Sequence, residues 1–178
     1  MHMNRKLAAG DISPIIHAKN IQGAPIDIPS SAGLVHLQFR RHSGCPACNR
    51  HLQSFARRIG ELRSAGIAEV AIYHSPTDEL LPHQGHFPFD VIGDPSKTLY
   101  RQFGVESSIT SLLHPAAWSA MVIGSFVREK PTVNVMPTGG VLGLPADFLI
   151  APDGIIKAMR YGRHADDQWS VDDVLSLR

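Results

Sequence analysis

Leu34-Val35-His36-Leu37-Gln38-Phe39-Arg40-Arg41-His42-Ser43-Gly44-Cys45-Pro46-Ala47-Cys48 carries an alternating segment straight into a pair of cysteines. Val35, Leu37 and Phe39 alternate with His36, Gln38 and Arg40 at the two-residue period of a strand, with Leu34 breaking the pattern. From Cys48 to Ser64 the apolar positions Leu52, Phe55, Ile59 and Leu62 recur at steps of three and four, which predicts an amphipathic helix ended by Gly66. Ile67 to Tyr73 then supplies a second short apolar strand. Strand, helix and strand form a right-handed crossover with a parallel strand pair, and the cysteines lie at the carboxyl end of the first strand. Open α/β sheets place ligands at that end. A sulfur there also meets the unpaired N–H groups and the dipole of the helix N-terminus, which favour thiolate over thiol.

Working outward, residues 1–33 carry Pro14, Gly23, Pro25, Pro29 and Gly33 and predict an irregular N-terminal arm with one short strand at Ile26-Asp27-Ile28. Residues 34–178 are expected to form a single α/β domain. Its further elements are a short helix over 77–83, a strand over 89–92, a helix over 96–103 closed by Gly104, and strands over 146–151 and 155–161 joined by Pro152-Asp153-Gly154. A last helix runs from Ser170 to Leu177, with the Ser170 hydroxyl as its cap. Residues 107–143 form an insertion expected to be helical over its uncharged run, Ser107 to Val127, and a loop over Asn134 to Gly143. Ser107, Ser108, Thr110, Ser111, His114, Pro115, Ser119 and Ser125 make that run too polar for a membrane span, so a face packed on the domain or on a homodimer partner is expected instead.

The chain has 178 residues, 43% apolar and 19% charged, with 17 basic against 16 acidic side chains. That balance suits an ordinary soluble domain and supplies no basic footprint for nucleic acid. Arg5 and Lys6 are followed by Asp11 and Pro14 rather than by an apolar h-region, so a cytoplasmic protein is expected. In that reducing compartment a close cysteine pair points to catalysis or metal binding, and two cysteines exclude a disulfide framework. No glycine-rich nucleotide motif is present, and no cofactor is expected.

Three segments resemble one family. Phe39 to Leu52, with Cys45-Pro46-Ala47-Cys48, is similar to the strand, C-P-x-C and helix start of the peroxiredoxin-like branch of the thioredoxin superfamily, which groups alkyl hydroperoxide reductase and thiol-specific antioxidant proteins. Gly93-Asp94-Pro95-Ser96-Lys97-Thr98-Leu99-Tyr100-Arg101-Gln102-Phe103-Gly104-Val105 and Leu144-Pro145-Ala146-Asp147-Phe148-Leu149-Ile150-Ala151-Pro152-Asp153-Gly154 are similar to its later segments, in the expected order. The resemblance implies a thioredoxin-like fold with a central mixed sheet flanked by helices. It implies Cys45 as the exposed nucleophile, Cys48 as its resolving partner and Pro145 as a cis-proline facing them. A peroxide or disulfide would be the substrate, and a thiol such as thioredoxin or glutathione the reductant.

Two positions depart from the pattern of typical peroxiredoxins. Counting back from Cys45, the expected Thr or Ser and Pro are His42 and Gln38; from Cys48 they are Cys45 and Arg41. The arginine slot ahead of Phe148 holds Pro145. The site therefore resembles a dithiol oxidoreductase more than a dedicated peroxidase, with Arg40 or Arg41 as substitute cations. Alternatives from other classes are a redox sensor or binding module without turnover, and a structural zinc site completed by His42 and His51. His74, His83 and His86 beside Asp78 and Glu79 are expected to be solvent-exposed, and Trp118 and Trp169 to be core or interface aromatics.

Overall fold

A computed structural model describes residues 5–105, 144–164 and 166–178, with no side-chain account of residues 46 and 47. The insertion at 107–143, with its expected helix, loop and Trp118, lies outside the described residues. Strand β3 (Leu34–Arg40) is followed by helix α1 (Pro46–Arg57), α2 (Ile59–Ser64) and β4 (Ile67–Tyr73). Helix α3 (Thr77–Gln84), β5 (Asp90–Gly93), α4 (Thr98–Gln102), β6 (Ala146–Ile150), β7 (Ile156–Tyr161) and α5 (Val171–Ser176) complete the domain. The sheet runs β5-β4-β3-β6-β7, parallel across β5, β4 and β3 and antiparallel across β6 and β7. This is the expected α/β, thioredoxin-like architecture, a mixed sheet flanked by helices.

Two expectations change. The helix predicted over 48–64 is broken at Arg58, whose backbone (φ −109, ψ 17) leaves the helical region just before Gly60, a poor helix former. The arm predicted to be irregular carries an antiparallel hairpin, β1 (Ile16–Lys19) with β2 (Pro25–Ile28). Its loop is closed by the Asn20 side chain, which accepts from the N–H groups of Gln22 and Ala24, and by Gly23 at φ 90.

The two faces of the sheet are both buried. Val35, Leu37 and Phe39 meet Val70, Ile72, Phe148 and Ile150, and the hairpin (Ile16, Ile28), Tyr100 of α4 and Phe103 just after it cover that layer. The opposite face lies under α1, where Leu52 packs with Ala71, Tyr73 and both cysteines, and Phe55 packs with Leu149, Trp169 and Val174. The parallel strands deliver the cysteine loop to the carboxyl edge of this second layer.

Candidate active site

Cys45 is the N-cap of α1, in extended conformation, and Pro46 opens the first turn, where its missing N–H goes unneeded. The Cys48 N–H donates to Cys45 Sγ at 3.4 Å, and Cys48 Sγ donates to Cys45 Sγ at 2.7 Å. Both cysteines are free thiols. The geometry thus collects negative charge on Cys45. Cys48 is pushed well above the usual thiol range, first by its bond to Cys45 and then by burial, while the Arg41 N–H and the Arg40 charge pull it down.

The loop between strand and helix is laced in place. Ser43 N–H donates to Ser75 Oγ at 3.1 Å, and the Ser43 carbonyl accepts from Gln84 Nε2 and Asn49 Nδ2. Gln84 and the Tyr73 hydroxyl both donate to Asn49 Oδ1, so β4 and α3 hold the first turn of α1 from one side. None of Asn49, Ser75 and Gln84 was singled out in the sequence, and their signal is only their proximity to the β4 and α1 ends.

Cys45 is expected to be exposed and is not: it is 2% exposed and Cys48 1%, packed among Ile21, Leu52, Leu80 and Phe87. The hairpin and α3, which close over the loop, supply that cover. Pro145 precedes β6, level with the end of β3, because Ala146 pairs with Phe39. Leu144–Pro145 is not cis, however; among the described residues the cis peptide bond is Ile28–Pro29. Pro145 is instead held from just beyond β7, its carbonyl accepting from Gly162 N–H at 2.8 Å.

His51 does not join the cysteines as a ligand. Its Nε2 lies 3.3 Å from the Arg40 guanidinium, and burial followed by that charge lowers its pKa to about 3. Among the described residues no cluster of three or more His, Cys, Asp or Glu side chains is placed to hold a metal ion. His83 and His86 are exposed, but His74 is 1% exposed, with neither ring nitrogen bonded, 6.4 Å from the His42 ring. Burial lowers the pKa of His42 and of His74 to about 4. Trp169 is a core aromatic as expected.

The residue pattern hid the other half of the site. His36, Gln38 and Arg40, all on one face of β3, lie fully buried beneath α1 with Glu69 of β4 and Asp147 of β6. Arg40 Nη2 donates to Asp147 Oδ1 at 2.7 Å and to Gln38 Oε1; Gln38 Nε2 donates to Glu69 Oε1; and His36 Nδ1 lies 2.9 Å from Glu69 Oε2. A cavity of about 540 Å³ lies at the far edge, lined by Leu34, Gly66 and Ile67 at the strand starts, and touches this ladder at Glu69. No helix among the described residues is long and apolar enough to cross a membrane.

Comparison with known proteins addresses the same residues. A search of curated proteins returns no match. Among solved structures, peroxidoxin BcpB from Mycobacterium tuberculosis superposes with a TM-score of 0.71 at 16% identity, over 96% of each chain. A reduced 2-Cys peroxiredoxin from Plasmodium vivax gives 0.67 at 12% identity, over 95% of this chain and 79% of that one. A protein described as the thiol:disulfide interchange protein DsbE, from Chlorobium tepidum, gives 0.63 at 19% identity, over 97% and 99%. At these identities the likeness is one of fold. The family model described as AhpC/TSA matches residues 9–159, a span that takes in the hairpin, the cysteine loop, the buried ladder and β6, and on that match the chain belongs to the AhpC/TSA family.

Proposed function

We propose that this chain is a dithiol redox enzyme that cycles Cys45 and Cys48 between two thiols and one disulfide, with thiol–disulfide exchange as its main reaction. The observation that carries the reading is the 2.7 Å approach of Cys48 Sγ to Cys45 Sγ at the start of α1. In the cycle the Cys45 thiolate attacks a substrate disulfide, one sulfur leaves as thiolate, and Cys45 is left in a mixed disulfide. Cys48 then attacks Cys45, the second substrate thiol leaves, and the internal disulfide holds the two electrons' worth of oxidation until a cellular thiol removes it. Membership in the AhpC/TSA family supports a second use of the same pair, in which Cys45 takes an oxygen from a hydroperoxide, releases the alcohol or water, and Cys48 condenses with the sulfenic acid to expel water. Both uses fit a reducing compartment such as the cytoplasm, with thioredoxin or glutathione as reductant.

Stopped-flow rates of the reduced protein with hydrogen peroxide and with a small disulfide test this, with Cys45→Ser as control. Disulfide exchange faster than peroxide reduction, and loss of both in Cys45→Ser, is expected. The reverse order would make it a peroxidase, and silence in both assays sinks the redox reading in favour of a sensor or scaffold.

A further inference from the structure

The carboxyl edge of the three parallel strands gathers nitrogen-bearing side chains that the two sulfurs' own chemistry leaves unused. Arg41 and His42 follow β3, His74 follows β4, and Lys97 lies shortly beyond β5. Backbone bonds tie these segments together: His74 N–H donates to the Arg41 carbonyl at 3.3 Å, Asp94 N–H to the Tyr73 carbonyl at 2.7 Å, and Lys97 N–H to the Asp94 carbonyl at 2.9 Å. The His42 carbonyl accepts from Cys45 N–H at 3.1 Å, so the turn that carries the His42 ring is also the turn that presents the nucleophile.

The two imidazoles are the unusual members. His74 is 1% exposed and neither of its ring nitrogens has a partner, and Nδ1 of half-buried His42 is likewise buried and unbonded. Buried polar atoms are ordinarily bonded, so three orphaned nitrogens in neighbouring rings mark a place for a ligand's polar atom. The ring centroids stand 6.4 Å apart, too far for a direct bond between nitrogens and about the span of one oxygen atom accepting from both rings. Tyr100, whose ring meets His74 edge-on at 5.8 Å, does not fill this role, because its hydroxyl donates to the carbonyls of Arg40 and Ile72.

Charge decides what kind of oxygen belongs there. Burial keeps both rings neutral at neutral pH, and the nearby charges act in the same sense, Lys97 foremost at His74 and Arg41 at His42, with Glu79 of α3 a smaller opposing influence on His42. Asp94, the acid in the connecting turn, is taken up by Ser96 and by the N–H groups of Thr98 and Leu99. Lys97 is held at φ 56, in the left-handed region where a lysine is seldom found and where ligand clamps store strain. Each neutral imidazole offers one N–H, and two cations beside the pair favour an anion. A metal cation would meet Arg41 and Lys97 and, among the described residues, no third ligand.

We propose that His42 and His74, in the field of Arg41 and Lys97, bind a carboxylate of the small disulfide that Cys45 attacks, and so select anionic substrates. This deepens the dithiol reading above and rests on it. His42 Nδ1 lies 3.6 Å from the place a Cβ on Gly44 would take, and Gly44 is exposed and adjoins Cys45, so a short arm joins the bound carboxylate to the sulfur under attack.

The test compares three disulfides of similar size with the reduced protein: dithiodipropionate, which carries carboxylates, hydroxyethyl disulfide, which is neutral, and cystamine, which carries ammonium groups, each rate divided by the rate with dithiothreitol. The anionic disulfide is expected to lead the neutral one by about tenfold, and the cationic one to trail it. His74→Phe keeps a ring against Tyr100 and removes both nitrogens, and is expected to lower the anionic-to-neutral ratio by about tenfold. Lys97→Asn, which tolerates a left-handed backbone, is expected to lower it by a smaller factor. A purely structural role would slow all three disulfides alike and leave the ratio where it was; that result overturns the proposal, as does a wild-type protein blind to charge. If His74→Phe does not fold, Lys97→Asn decides, a lowered ratio supporting the site and an unchanged one overturning it. A second measurement separates the site from the cycle: NMR of the histidine rings in Cys45→Ser titrated with propionate. Saturable shifts of the His42 and His74 signals, with both ring titrations moved upward, support the site even where the exchange assay is silent. Unmoved signals beside charge-blind exchange remove the site and leave the dithiol cycle standing.

Discussion

The two faces of β3 are equally dry and do opposite work. Val35, Leu37 and Phe39 are at most 1% exposed, and so are His36, Gln38 and Arg40. The first set gains from leaving water and from close contact, as in the edge-to-face packing of Phe39 on Phe148 and Tyr100. The second loses hydration and recovers it only because nearly every charge has a partner: Arg40 with Asp147, His36 with Glu69. Burial alone therefore does not mark a core position as structural. The apolar face stabilises the fold, and the charged face, of a kind that well-packed hydrophobic residues often replace without loss of stability, lies beneath Phe55 and His51 of α1 and beside Trp169.

The strongest way to break this comparison is on the apolar side. Phe148→Ala should cost about 3–5 kcal/mol of stability in urea unfolding, equally at pH 6 and pH 9, because a cavity has no proton to exchange. A pH-dependent cost there would mean that the two faces are not separable. The charged side should show the converse. The folded pKa of His36, about 9, stands above the ordinary imidazole value of 6.5, so its contribution is complete below pH 6.5 and is lost as pH rises through 9. That difference corresponds to about 3 kcal/mol, and His36→Gln should flatten the alkaline limb. His42, His51 and His74 have lowered values, so their neutral forms favour the fold above pH 6.5, and stability falls as pH drops below it. Together these place the stability maximum near pH 6.5, and an alkaline optimum would contradict the ladder's charge state.

The smallest effect concerns the cover of the charged face. Ser170 caps α5 in a reciprocal box with Asp173, and the neighbouring Trp169 N–H donates to Asp147 at 3.3 Å. Ser170→Ala should cost about 0.5–2 kcal/mol, read as a shift in the urea midpoint without change in slope. If it also moves the alkaline limb, the helix end and the ladder are coupled.

Much of this was legible in the residues. Alternation placed β3 and a short apolar run placed β4 at their observed bounds, the cysteine spacing found the first turn of α1, and the Ser170 cap found α5. The break at Arg58 was not, because Phe55, Ile59 and Leu62 keep helical spacing through it. The hairpin was hidden because Pro25 and Pro29 read as breakers, although Pro25 sits at the start of β2, where a strand tolerates it. The ladder escaped for a physical reason: alternating polar residues ordinarily face water, and nothing within β3 alone says that α1 covers them. The sign lay across strands, in Glu69 within an otherwise apolar β4 and Asp147 within β6, where a half-buried sheet has no use for a carboxylate. The cover over Cys45 is likewise a product of distant elements, Ile21 and Leu80.

The ladder also acts as a key for strand alignment. Side chains alternate between faces, so a slip of one residue between β3 and β4 would turn Glu69 to the side of Leu37 and Phe39, among groups that cannot bond it. The same slip against β6 would turn Asp147 into that layer and strand Arg40 without its carboxylate. Misaligned sheets are thereby penalised by bare charge, and the alignment that escapes the penalty is the one that brings Arg40 up to the cysteine loop.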